Sequence, residues 1–126
     1  MSCAAAMAVL DELQDQNLVD QARLVGDHAL KRLKSLQEKY DVIGDIRGSG
    51  LVFGAEMVVD RQSKKPASDF TDRVVNAMRN HGILHSRLGP HKNTLKIRPP
   101  MPFTIEHANL LLDTLDQVLA ETPLHI

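Results

Sequence analysis

The run Leu95-Lys96-Ile97-Arg98-Pro99-Pro100 holds the residue types and spacing best suited to chemistry in this sequence. In an extended strand successive side chains point to opposite faces. Leu95 and Ile97 would therefore enter a core while Lys96 and Arg98 project together from the other side, roughly 7 Å apart. Pro99 and Pro100 lack an N–H and hold φ nearly fixed, which ends the strand rigidly and limits the drift of the two cations before them. A rigid pair of cations suits an anionic substrate. Residue type alone favours the plainer role of solvating the outer face of an edge strand.

Just upstream, Gly89-Pro90-His91-Lys92-Asn93 is composed of residues that turns select. It adds His91 and Lys92 beside the strand, with Arg87 shortly before it, so a phosphate or carboxylate held here would meet several donors. A solvent-facing turn is the plainer reading of the same residues. Lys96 leads the candidate substrate-binding set, and Arg98, His91 and Lys92 complete it.

Other motifs carry less. Asp45-Ile46-Arg47-Gly48-Ser49-Gly50 has close-spaced glycines but lacks the strand-then-helix setting and the further glycine of a dinucleotide fingerprint, and no Gly-Lys-Ser/Thr follows. His81 and His85 are four apart, yet Gly82 breaks the helix between them and no third ligand is evident, so no metal site is expected. No Ser-His-Asp or Cys-His constellation stands out, and no catalytic residue is assigned. Cys3, among alanines, reads as a small buried hydrophobe.

The 126 residues are enough for one domain with a real core. With 43% hydrophobic and 25% charged residues and a formal net charge of −1, the composition is that of a soluble globular domain, not of a nucleic-acid binder. No window has the apolar length of a membrane helix. A single cysteine rules out an internal disulfide and fits a cytoplasmic setting.

The elements that would position these residues follow from periodicity. Ser2 to Leu13 is a run of strong helix formers with Ser2 as a plausible cap. It begins abruptly with an apolar turn that has nothing obvious to pack against, and this suggests a piece of something larger. Leu18, Ala22, Val25, Ala29, Leu33 and Leu36 mark one buried stripe on a second helix ending near Tyr40. Two strands follow, Asp41 to Arg47 and Leu51 to Val59, joined by a tight connection. A third helix spans Ser68 to Asn80, with Phe70, Val74, Ala77 and Met78 inward and Gly82 as its stop. Strands at Ile83 to Leu88 and Thr94 to Arg98 precede a last helix capped by Thr104, which buries Leu111, Leu115, Val118 and Leu119. The order α-α-β-β-α-β-β-α predicts an α+β fold: a small, mostly antiparallel sheet of three or four strands with helices mainly on one face.

Three segments together, Ser2-Cys3-Ala4-Ala5-Ala6-Met7-Ala8-Val9-Leu10, Gly44-Asp45-Ile46-Arg47-Gly48-Ser49-Gly50-Leu51-Val52-Phe53-Gly54 and the Lys96 to Pro100 run, resemble the C-terminal small domain of class III, pyridoxal-phosphate-dependent aminotransferases. The resemblance covers essentially the whole of residues 1–126, in order. The stretch from Gly89 to Met101 is most similar to the branch of phospho-lyases acting on phosphoethanolamine or phosphohydroxylysine. Many members resemble one another in an arginine three residues before the proline pair, where it clamps a substrate carboxylate; here Lys96 stands in that place. An ammonium is a compact point charge where a guanidinium is a bidentate fork, so the exchange agrees with a phosphorylated amine substrate.

The resemblance further implies that the Schiff-base lysine belongs to a large domain upstream of Met1. Pyridoxal 5'-phosphate would then be held by the full-length parent and not by this chain alone. The isolated chain is expected to be inactive. Its expected partners are a small anionic amine substrate, the missing large domain and, in the parent, a second subunit of a homodimer. A conventional ω-aminotransferase domain and a freestanding α+β module that binds an anion or another chain remain as alternatives.

Overall fold

The computed structural model describes residues 2–124. Its elements are α1 (Ser2–Asp15), α2 (Leu18–Lys39), β1 (Ile43–Ser49), β2 (Val52–Met57), α3 (Ser68–Asn80), β3 (Ser86–Leu88), β4 (Thr94–Ile97) and α4 (Ile105–Glu121). The four strands form one antiparallel sheet, as the sequence predicts, and their order across it is β1-β2-β4-β3. β4 is thus an internal strand, hydrogen-bonded on both sides.

Alternation decides which side of the sheet the helices cover. Phe53, Ala55 and Met57 of β2 and Leu95 and Ile97 of β4 are buried in one core with Val25, Ala29, Leu33, Phe70, Val74, Leu112 and Leu115 from α2, α3 and α4. The residues between them, Gly54, Glu56, Thr94 and Lys96, face the other way and are only half-buried. No helix of the described residues is long and apolar enough to cross a membrane.

Helix ends are where the sequence places them, for identifiable reasons. Gly82, with φ +80°, follows α3 in the left-handed conformation that glycine adopts without a steric penalty. Thr104 and His107 form a reciprocal capping box at the start of α4, each side chain accepting from the other's backbone N–H. At the end of α2 the Arg61 guanidinium donates to the carbonyls of Gln37, Tyr40 and Ile43, which satisfies oxygens that have no partner within the helix.

Three expectations are corrected. Cys3 is exposed, not buried, because α1 buries none of its residues and packs on α2 alone. β1 runs two residues further than predicted, since Gly48 and Ser49 still pair with Phe53 and Val52 and the chain reverses only at Gly50 and Leu51. β3 is three residues long where six were expected; the missing half shapes the cleft described below.

The β1–β2 turn lies directly on α2. A β-carbon built on Gly26 would overlap the carbonyl oxygen of Gly50 and come within 2.8 Å of its Cα. Gly50 itself has φ +53°, so neither side can withdraw without remaking the turn. Gly26→Ala should therefore destabilise the fold by about 3 kcal/mol, the upper end for forced overpacking, despite alanine's better helix propensity. Urea unfolding checks this, and an unchanged or higher midpoint would show that helix and turn can separate freely.

α2 and α4 are also joined at their ends. Lys39 Nζ lies 2.7 Å from Asp116 Oδ1, and the Tyr40 hydroxyl donates to the same oxygen at 2.5 Å. Hydrogen bonds from Lys39 and Tyr40 hold the Asp116 carboxyl below its ordinary range. A depressed carboxyl stabilises the fold above the unfolded-state value and loses that contribution as pH falls through the folded one. Asp116→Asn should therefore flatten the decline in stability below about pH 4, measured by urea titration across that range.

Candidate functional site

The site is an incomplete hairpin. β3 and β4 pair at Ser86↔Lys96, Arg87↔Leu95 and Leu88↔Thr94. Continued one rung at a time, that register would match His85 with Ile97, Leu84 with Arg98 and Ile83 with Pro99, but these rungs do not form. On the β4 arm Pro99 and Pro100 offer no N–H to a ladder. On the β3 arm Ile83 N–H bonds back to Met78 O at 3.0 Å, which ties the segment to the end of α3. The arms part, and between them opens a cleft of about 490 Å³. Residues 82–86 and 96–100 form its two sides, and Phe103, His107, Leu110 and Leu111 contribute from the α4 end.

Lys96 and Arg98 both line this cleft, Lys96 half-buried at the last rung and Arg98 exposed just beyond it. Lys96 pairs across to Gly54 of β2 and Ser86 of β3, so its cross-strand neighbours are small on both sides. Among the described residues neither Lys96 nor Arg98 makes an ion pair, and no acidic side chain lines the cleft. Two unpaired cations at the mouth of an apolar-floored cleft can hold an anion by charge-assisted hydrogen bonds.

His91 and Lys92 are elsewhere. They sit in the β3–β4 turn at the opposite end of β4 from Lys96, and neither lines the cleft. Lys92 takes φ +51° to make the turn, and the His91 carbonyl accepts from the Ser68 hydroxyl at 2.5 Å. Arg87 points to the helix side and pairs with Asp72 of α3 at 2.5 Å. Of the four predicted residues, then, the fold brings together two.

Sequence reasoning missed His85, Phe103 and His107 as lining residues because their placement follows from the parting of the arms. His85 was weighed only as a metal ligand; among the described residues no group of three or more His, Cys, Asp or Glu could hold a metal. Both its ring nitrogens are buried without a hydrogen-bond partner. Burial outweighs the opposing influence of the Ser86 backbone and pushes the imidazole below its ordinary value.

Helices stacked on one sheet face, a bare opposite face and an uncompensated cation pair at its end define an α+β domain that presents positive charge away from its own core. The chain belongs to the aminotransferase class-III family, whose sequence model matches residues 1–119. That family is pyridoxal-phosphate-dependent. An ethanolamine-phosphate phospho-lyase homolog 1 from Caenorhabditis elegans is 38% identical over 120 residues, covering 94% of this chain and 26% of that protein. A mitochondrial alanine–glyoxylate aminotransferase 2 homolog 2 from Arabidopsis thaliana is 35% identical over 121 residues, 96% of this chain and 25% of that protein. A phospholyase from Arthrobacter, solved in complex with phosphoethanolamine, superposes with a TM-score of 0.92 at 39% identity, covering 95% of this chain and 28% of that one. The chain thus spans about a quarter of the length of the curated relatives it matches.

Because the folded protein disfavours a charged His85, the unfolded chain takes up a proton below about pH 6.5 that the folded chain refuses. Stability should fall from about pH 7.5 to about pH 5.5 in the wild type and fall less in His85→Phe. Urea unfolding at the two pH values measures the difference, and equal losses would show that His85 is not buried neutral.

Proposed function

We propose that this chain is the smaller domain of a larger class III enzyme, and that Lys96, seconded by Arg98, holds the anionic group of a phosphorylated amine substrate. The observation that carries the reading is the shared cleft: Lys96 on an internal strand with small cross-strand neighbours, Arg98 just beyond the strand's end, and no acid among the residues that line the cleft. The similarity to two phospho-lyases, one solved with phosphoethanolamine, supports the phosphate class of anion. The same reading makes the enzyme cytoplasmic and homodimeric.

Pyridoxal phosphate requires an amine to anchor it, a cradle for its phosphate and an acid beside its ring nitrogen. These residues do not supply that set. Of the seven lysines only Lys96 is not fully exposed, and the cleft has no acid. The cofactor therefore belongs, in this proposal, to the part of the enzyme outside this chain, and the isolated chain is inactive. The contribution made here is electrostatic. As the carbon–oxygen bond to the leaving phosphate breaks, negative charge grows on the departing oxygens, and a preorganised ammonium donating to them lowers that charge's energy most where water is excluded.

A second reading, amino transfer to a keto acid, is favoured by the aminotransferase relative. Assaying the full-length protein for inorganic phosphate release against amino transfer separates the two. In that protein Lys96→Met should lower kcat/KM for phosphoethanolamine about 10- to 100-fold, the range for losing a hydrogen bond between charged groups. Unchanged kinetics would remove Lys96 from the site.

A further inference from the structure

The bare face of the sheet carries an acid close enough to cancel Lys96, and the structure shows what keeps it away. Register places Arg47, Gly54 and Lys96 in one row across β1, β2 and β4, and Asp45, Glu56 and Thr94 in the next. Glu56 is therefore a diagonal neighbour of Lys96 on the same face, a separation that two long side chains can bridge. It does not bridge it. Glu56 Oε2 faces Arg47 at 3.5 Å, and Oε1 accepts from Asn93 Nδ2 at 3.4 Å. Asn93 is buried and fixed by a 2.9 Å bond from the same nitrogen to the Met57 carbonyl. Arg47 is braced from the far side by Asp45 at 2.8 Å.

We propose that Arg47 is a positioning residue for the anion site: by drawing the Glu56 carboxylate toward β1, it leaves the Lys96 ammonium free for substrate. The inference rests on the reading of Lys96 as the anion-binding group. Both ends of the Glu56 carboxylate are engaged, one by a fixed buried amide and one by an exposed guanidinium, so the guanidinium is the partner whose loss frees the acid to swing. Gly54 matters to the same device, since it puts no side chain between Glu56, Arg47 and Lys96.

The arrangement is testable in two independent ways. A crystal structure of the chain carrying Arg47→Gln should show Lys96 Nζ within about 4 Å of a Glu56 oxygen, the distance of an ion pair. Lys96 and Glu56 remaining apart would overturn the proposal. In the full-length enzyme Arg47→Gln should raise the KM for phosphoethanolamine about fivefold with kcat unchanged, the upper end for a partly exposed ion pair. Adding Glu56→Gln should restore KM, whereas adding Asp45→Asn, which restores the same net charge, should not. Equal rescue by both would mean that only net charge was felt and would overturn the proposal. If Lys96→Met leaves both kcat and KM unaltered, the anion-site reading fails on its own, and the Arg47→Gln structure still decides whether Arg47 restrains Glu56.

Discussion

The failure of the β3–β4 ladder to continue beyond the Ser86–Lys96 rung is the constraint on which the candidate site depends. A β4 strand that continued past Ile97 would meet the 83–85 segment rung for rung and leave no space between them. Pro99 and Pro100 deny the ladder any donor past Arg98, and the β3 arm is drawn to the end of α3 through the Ile83 to Met78 bond. The prolines on one arm and the tether to α3 on the other together hold the hairpin open as a cleft. The break in the ladder also sets Lys96 at the last formed rung, where neighbours on both sides fix its backbone and its side chain stands at the opening.

Charge on the bare sheet face is distributed unevenly. The β1 side is neutralised locally, with Asp45, Arg47 and Glu56 in one linked group. The β4 end is left positive. The same segregation occurs on the helix side, where Arg87 is spent on Asp72, Arg32 on Asp113 and Lys39 on Asp116. Exposed pairs of this kind add little stability individually. Six of the fifteen lysines and arginines are compensated in this way among the described residues, and of the others Lys96 and Arg98 are the pair that lines the open cleft.

Element order, the antiparallel character of the sheet and the ends of α3 and α4 were legible from local pattern: the α2 stripe from Leu18 to Leu36, Gly82 after α3, Thr104 before α4; Ser2, read as a cap, is instead the first residue of α1. The pairing of Lys96 with Arg98 was legible for the same reason, since alternation along a strand is a local rule. What failed needed information from another element. Cys3 was placed in a core because its neighbours are apolar, but burial requires a partner surface and α1 meets only α2. Ile83 to His85 have strand-like residue types, yet a strand needs an arm to pair with, and Ile83 is tied to α3 and would face Pro99. His91 and Lys92 are near Lys96 in sequence, but they belong to the turn that precedes β4, at the end of that strand away from the cleft. Glu56 was invisible as a rival for Lys96 because their adjacency exists only through the β2–β4 register.

That register also gives a physical reason for lysine rather than arginine at position 96. A guanidinium at position 96 would present a planar fork to a carboxylate one diagonal away, and such forks pair with carboxylates bidentately and hold them. Glu56 would then compete for it with any substrate anion, and Arg47 with Asn93 would have to restrain the acid against a stronger attraction. An ammonium is a point charge on a flexible stem and is strongly hydrated, so it gains less from a single oblique carboxylate. It can turn all three donors toward a tetrahedral phosphate instead. Lysine at position 96 and the Arg47–Glu56 pair are therefore two halves of one solution: the cation is of a kind that the nearby acid captures poorly, and the acid is engaged elsewhere.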